Sequence, residues 1–460
     1  MPQATLPEAI RGEVGRLGQA DIIVGIPSFK SAATIGYVVR AAHAGLVQYF
    51  PDLRPVIVNS DAGSPDGTQR VVIETEPPDY VESILLVRPR NRLQRITLTY
   101  PEVEGVGGKG AALRSIFEIA RALEAQALVV VDSDLRSIGP EWIELLAGPI
   151  LKGGFDFVAP LYARYKWDGT ITNTVTYPLT RALYGLRIRQ PIGGDFGLSG
   201  DLVTHYVEQD DWDDEVSRFG IDIWMTTKAL ASGYAVAQAR LGAKVHDPKD
   251  PGADLGPMFR QVVSTILRLA VEQAPAWLEV RGSHDTPIYG FERLVEPPPL
   301  RIDPVRLLRD FAADAETFRT TWTEMLSPAT LETARELAAE AGRAAEGLAR
   351  RGDAWAEGAP GARGAHGADF HFPDSTWAHV VYDALLATRA GTVPRERLAA
   401  ALVPLYYGRV ASFVLETRTA DAEQAEERIE HQAREFELAK PYLVERWLAG
   451  EGAASGGTTA

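Results

Sequence analysis

From Asp21 onward the chain alternates short apolar runs with longer amphipathic stretches. DIIVGIP (21–27) reads as a buried strand, and SAATIGYVVRAAHAGLVQYF (31–50) repeats apolar residues at helical spacing. PVIVNSD (55–61) predicts a second strand, and a helix starts within SPDGTQRVVIETE (64–76). ILLVRPR (84–90) predicts a third strand. After a loop come a helix in GKGAALRSIFEIARALEA (108–125) and a fourth strand in ALVVVDSD (127–134). Strands separated by helices imply a parallel, doubly wound sheet with right-handed crossovers. Ligands in such sheets bind beyond the carboxyl ends of the strands. Pro27-Ser28, Asp61, the Arg88–Arg95 loop and Asp132/Asp134 all fall at that edge.

From about 155 to 290 the elements are mixed: FDFVAPLYARY, PLTRALYGL, QPIGGDFGLSG, a helix in GIDIWMTTKALASG, then the strand-like YAVAQARLGAKVHDP. VEPPPL (295–300) is a Pro-rich boundary, and beyond it the pattern is nearly all helical. The expected division is an arm at 1–20, an α/β domain at 21–295, a helical region at 301–449 and a disordered tail at 450–460. The Ala/Glu/Arg helices lack sustained heptads, so they predict a packed appendage rather than a coiled coil.

Composition narrows the class. A chain of 460 residues, 45% hydrophobic and 24% charged, has the make-up of a soluble globular protein with two or more domains. A net charge of −15 argues against a nucleic-acid or anionic-membrane surface. The absence of cysteine excludes disulfides, thiolate zinc sites and Cys nucleophiles. The N-terminus lacks a basic segment followed by an apolar one, and no apolar run reaches membrane-spanning length. A cytoplasmic protein is the expectation.

The chemistry centres on Asp132-Ser133-Asp134, where an apolar strand ends. Alternate strand residues point the same way, so both carboxylates can aim at one point. Converging carboxylates are costly unless something positive lies between them, and a divalent ion holding a diphosphate would suffice. A charged turn with Asp as N-cap is the plainer alternative. Pro27-Ser28-Phe29-Lys30 places backbone N–H groups and a helix start near a ligand, without the GxGxxG of a dinucleotide site. Asp61 reads equally as an acceptor from a base or ribose and as an Asx-turn residue. Gly107-Gly108-Lys109-Gly110 lacks the P-loop spacing, but Lys109 is a candidate phosphate contact, or a solvated helix start. His246 suits a divalent ion beside carboxylates, although a lone His is more often structural. Gly193, Gly194 and Asp195 form a flexible loop suited to a small polar acceptor. Asp222 sits at a helix start, an ordinary place for an acidic residue. The Arg88, Arg90, Arg92, Arg95 cluster could attract phosphate, with a solvated basic loop as the blander reading.

IPSFKSAATI, VNSDAGSPDGT, GKGAAL, VVDSDLRSIGPEWI, QPIGGDFGLSG, GIDIWMTTKAL and AKVHDP occur in that order. This set resembles the GT-A-fold glycosyltransferases. It is more narrowly similar to the retaining enzymes that make glucosylglycerate, mannosylglycerate and glucosyl-3-phosphoglycerate. The match covers roughly Asp21 to Pro248. The resemblance implies a GT-A, Rossmann-like sheet with an added helical region. It implies that Pro27, Ser28, Phe29, Lys30, Asp61, Lys109, Ser133 and Asp134 hold the nucleotide-sugar. Asp132 and Asp134 would bind Mg²⁺ or Mn²⁺ with His246 as a further ligand. Gly193, Gly194, Asp195 and Asp222 would line the acceptor pocket, and Asp132, Asp134, Asp195 and Asp222 would serve catalysis. The partners implied are a GDP-, UDP- or ADP-hexose donor and a glycerate or 3-phosphoglycerate acceptor, the product being a compatible solute or its precursor. No nucleic acid and no membrane are expected. Tyr406-Tyr407-Gly408-Arg409 could serve a homodimer or the acceptor pocket, although helix packing is the better prior. Rival readings are an inverting GT-A enzyme on a lipid or polysaccharide, a sugar nucleotidyltransferase, and a silent nucleotide-sugar-binding module. The chain has no QxxRW and no Gly-rich signature after its first strand.

Overall fold

The computed structural model describes residues 6–77, 93–99, 108–245, 251–292, 297–351 and 370–455. It divides into two compact units.

The first unit, 1–163, 188–248 and 285–298, is built on an eight-stranded sheet. Its strands are β1 (Ile22–Ser28), β2 (Pro55–Asp61), β3 (Gln94–Thr99), β4 (Ala127–Val130), β5 (Phe157–Ala163), β6 (Phe196–Ser199), β7 (Val236–Ala243) and β8 (Ile288–Tyr289). The order is β8-β7-β5-β6-β4-β1-β2-β3. All pairings are parallel except those of β6, which runs antiparallel to both β4 and β5. The doubly wound, mostly parallel sheet expected from the strand–helix alternation is therefore present.

Helices cover both faces. Ile22, Val24 and Ile26 of β1 join a core with the helices Ile35–Tyr49 and Glu141–Gly153, through Val38, Val39, Trp142 and Leu146. Gly25 faces the other way, where a Cβ would lie 2.5 Å from Cγ2 of Ile116 on the helix Lys109–Ala122. β1, β2 and β3 run out to one edge, and β4 then pairs on the opposite side of β1. That reversal opens a crevice at the carboxyl ends of β1 and β4. Because β6 is antiparallel, the residues preceding it, 193–195, arrive at that same end.

Two sequence expectations change. Gln94–Thr99, expected as loop, is the strand beside β2, whereas ILLVRPR lies outside the described residues. Arg95 sits in that strand and donates to the carbonyls of Val72 and Thr75 rather than to solvent anions. Arg88, Arg90 and Arg92 lie outside the described residues.

The second unit comprises 164–187, 249–284 and 299–460. The helical part thus recruits two segments from within the range assigned by sequence to the α/β domain. Among its helices, Arg395–Thr417 is long and apolar enough to cross a membrane, contrary to the expectation that no apolar run reaches that length. Burial accounts for that apolarity, since 83% of its most apolar window is buried within the structure. Tyr406 stacks on Phe259 at 4.2 Å, and the fully buried Arg409 pairs with Asp374 at 2.8 Å and Glu416 at 3.1 Å. Helix packing is therefore what these residues do. The last helix, Ala422–Ser455, continues beyond the expected start of the tail at 450.

Candidate active site

The carboxyl end of β4 leads directly into Asp132. Val131 still donates to the Gly25 carbonyl at 3.1 Å, so the turn begins against β1. Ser133 is buried, with its hydroxyl 2.8 Å from that of Ser31 and its carbonyl accepting from Thr34 Oγ1 at 2.8 Å. The loop after β1 and the turn after β4 are thereby tied together.

Two lysines converge on Asp132. Lys109 Nζ lies 2.9 Å from Oδ1, and Lys244 Nζ lies 2.8 Å from Oδ2. Each lysine also donates to one carbonyl of the same turn, Lys109 to Gly194 at 3.2 Å and Lys244 to Gly193 at 2.9 Å. Each holds one further carboxylate, Lys109 that of Asp222 at 3.1 Å and Lys244 that of Asp195 at 2.9 Å. Two cations thus face three carboxylates. Burial would push Asp132 up, but Lys109 and Lys244 outweigh it and hold the carboxyl well below the usual range. Burial would push Lys109 down, but Asp132 and Asp222 keep it well above the usual range. For Asp195 burial wins and pushes the carboxyl up, despite Lys244.

The glycines make this approach feasible. Gly194 has φ +90°, and a Cβ there would lie 2.3 Å from Asp132 Oδ2 and 2.8 Å from Lys244 Nζ. At Gly110 a Cβ would lie 1.9 Å from the Val216 carbonyl. The 213–220 loop therefore packs onto the helix start, and Ser217 O accepts from Ala111 N–H at 3.1 Å. One of the N–H groups at that helix start is therefore already taken by the protein.

The sequence candidates separate accordingly. Asp132, Lys109, Gly193, Gly194, Asp195 and Asp222 come together. Asp195 is fully buried, accepting from Asp132 N–H at 2.8 Å, from Lys244 and from the Tyr162 hydroxyl. It shapes the turn and presents no surface to an acceptor. Asp61 is also fully buried, accepting from Ser28 Oγ at 2.8 Å, from Ser64 N–H and Oγ at 2.7 Å, and from Gln69 Nε2 at 3.3 Å. Its carboxylate is tied into its own loop, through the N–H and hydroxyl of Ser64 three residues on. Pro27 and Ser28 lie within β1 and are buried. Phe29 is 55% exposed, and Lys30 takes a left-handed φ of +52° with its N–H on Ser64 Oγ at 2.8 Å. Asp134 is half-buried and its carboxylate has no protein partner among the described residues. His246 lies outside the described residues, within which no group of three or more His, Asp or Glu forms a metal cage. Lys244 and Tyr162 were missed. The one signal in the sequence is that Lys244, at the start of KVHDPKD, directly follows a strand.

No protein-family model matches the sequence. A curated relative, the glucosyl-3-phosphoglycerate synthase of Petrotoga mobilis, is 24% identical over 268 residues, covering 54% of this chain and 72% of the relative. Among solved structures, glucosyl-3-phosphoglycerate synthase from Mycobacterium tuberculosis in complex with Mg²⁺ and UDP is 25% identical over 56% of this chain and 83% of that chain, with a TM-score of 0.41. Its complex with Mn²⁺, UDP-glucose and phosphoglyceric acid is 24% identical at the same coverage, with a TM-score of 0.40. At such TM-scores the structural overlap carries no argument of its own. In motif order and sequence, the chain is similar to the glucosyl-3-phosphoglycerate synthases.

Proposed function

We propose that this chain transfers a hexose from a nucleoside diphosphate sugar to 3-phosphoglycerate or glycerate, with retention of configuration. The observation that carries the reading is the lysine-gripped Asp132 beside the Gly193–Gly194 turn, at the crevice where a doubly wound sheet binds ligands. The name of the curated relative favours glucose as the sugar and 3-phosphoglycerate as the acceptor. Lys109 and Asp222, the less deeply buried pair of the cluster, would donate to and accept from sugar hydroxyls or phosphate. Asp132 orients Lys109 and presents its remaining lone pairs. Phe29 and Lys30 offer an exposed apolar face and a cation to the nucleotide. The transition state has oxocarbenium character, so the Asp132 and Asp222 charges suit it.

A divalent ion fits at Asp134, the one carboxylate of the motif without a protein partner among the described residues. Both Asp132 oxygens are already engaged by lysines. Asp134, with His246, would hold Mg²⁺ or Mn²⁺, and the ion would neutralise the departing diphosphate.

The test is a turnover screen with Mg²⁺ or Mn²⁺, pairing UDP-, GDP- and ADP-glucose and GDP-mannose with 3-phosphoglycerate or D-glycerate. Products are read by NMR. An α-linked product on either acceptor is expected. A β-linked product overturns retention, and no transfer to either acceptor overturns the acceptor class.

A further inference from the structure

We propose that Lys244 is a positioning residue for the transfer step, one that fixes Asp132 against the Gly193–Gly194 turn without itself touching substrate. The inference rests on the glycosyl-transfer reading only for the reaction that is measured. Its basis is the unequal burial of the two lysines. Lys109 and Asp222 keep 17% and 13% of their side chains exposed, whereas Lys244 and Asp195 keep 6% and 0%. The Lys109 arm faces the crevice and can exchange protein contacts for ligand contacts. The Lys244 arm is interior and has no such freedom.

That interior arm joins three parts of the first unit. Lys244 directly follows β7, and its ammonium lies 5.3 Å from the ring centre of Tyr162 on β5. Tyr162 donates its hydroxyl to Asp195, and its backbone exchanges hydrogen bonds with Gln190 at 3.3 and 3.0 Å. Asp195 in turn accepts from the Asp132 N–H at 2.8 Å. Lys244 closes this circuit by binding Asp132, Gly193 and Asp195 together. Asp132 follows β4 and the glycines precede β6; the pairing of these two strands ends at Val130 and Phe196, so it aligns the backbones but leaves the Asp132 carboxylate to be held by side chains. Lysine is suited to the task, because three ammonium hydrogens meet three acceptors. Without it, the Asp132 carboxylate and the turn are joined only through Lys109, by its bonds to Asp132 and the Gly194 carbonyl.

The experiment compares Lys244→Met, Lys244→Arg and the double variant Lys244→Met/Asp195→Asn with wild type. The double variant removes the buried carboxylate that Lys244→Met leaves uncompensated, which protects folding. Transfer kinetics, UDP affinity by calorimetry and thermal unfolding are measured on the full chain. Lys244→Met is expected to lower kcat about 100-fold, with donor KM and UDP affinity changed less than about threefold. Lys244→Arg should recover part of kcat. The double variant should recover stability without recovering kcat. Recovery of both, or a Lys244→Met variant within about threefold of wild type, would show a structural role only and overturn the proposal. A loss confined to KM would make Lys244 a substrate contact and overturn it equally. A wild type that transfers to no acceptor overturns the parent reading as well, so the two failures are told apart.

Discussion

Gly194→Ala isolates the contact on which the site is built. The residue has φ +90°, where an L side chain costs roughly 1–2 kcal/mol. The new methyl would also meet Asp132 Oδ2 at 2.3 Å and Lys244 Nζ at 2.8 Å. Reaching ordinary van der Waals separation means opening the Asp132 contact by about 1 Å. A shift of that size breaks at least one of the lysine–Asp132 hydrogen bonds, each roughly 1.5–3 kcal/mol for a charged pair. The total is about 3–5 kcal/mol in stability. A misplacement of about 1 Å at a reacting site also lowers turnover about 100-fold. Gly154→Ala is the internal control, because Gly154 has φ +71° but no atom within 4 Å of a Cβ. It should show the backbone cost alone, about 1 kcal/mol, and full activity. Urea unfolding and transfer rates on both variants are the assay. If Gly194→Ala matches Gly154→Ala in stability and keeps turnover within threefold of wild type, the turn is not held against Asp132 and the site geometry is wrong.

Gly110→Ala drives a methyl to 1.9 Å from the Val216 carbonyl. It should displace the 213–220 loop that leads to Asp222, seen as faster proteolysis within that loop and lost activity. Asp134→Asn should weaken Mn²⁺ binding by more than about tenfold, or about 1.4 kcal/mol, while leaving the unfolding temperature unchanged; unaltered Mn²⁺ affinity by calorimetry would move the ion elsewhere. His43 is pushed down from 6.5 to about 4, first by burial and then by Arg95. The folded chain therefore takes up this proton only near pH 4, whereas the unfolded chain does so near 6.5. Stability from this group is complete above pH 6.5 and falls as pH drops toward 4, by about 3 kcal/mol. His43→Leu should flatten that part of the stability–pH curve, and an unchanged slope would rule His43 out as its source.

Much of the frame was legible because burial leaves a periodic trace. PVIVNSD coincides with the observed β2, and the first and fourth strands agree to within a few residues. The motif residues at strand ends were legible for the same reason, since sequence locates the point at which a strand stops. β3 was misplaced because QRITLT is half-polar and only its pairing with β2 makes it a strand. FGLS escaped detection because four residues carry too little periodicity to identify. The helical unit's recruitment of 164–187 and 249–284 was equally hidden, because amphipathic faces do not name their partners.

Sequence by itself determined the α/β alternation, the DSD turn at a strand end and the candidate residues around it. Tertiary structure alone decided what those residues do. The antiparallel course of β6 delivers Gly193–Asp195 to the crevice, and the end of β7 delivers Lys244 from more than a hundred residues beyond Asp132. Hydrophobic periodicity reports which side of an element is buried, a local property. The partner of a buried charge is set by which strands become neighbours, and that is a property of the whole sheet.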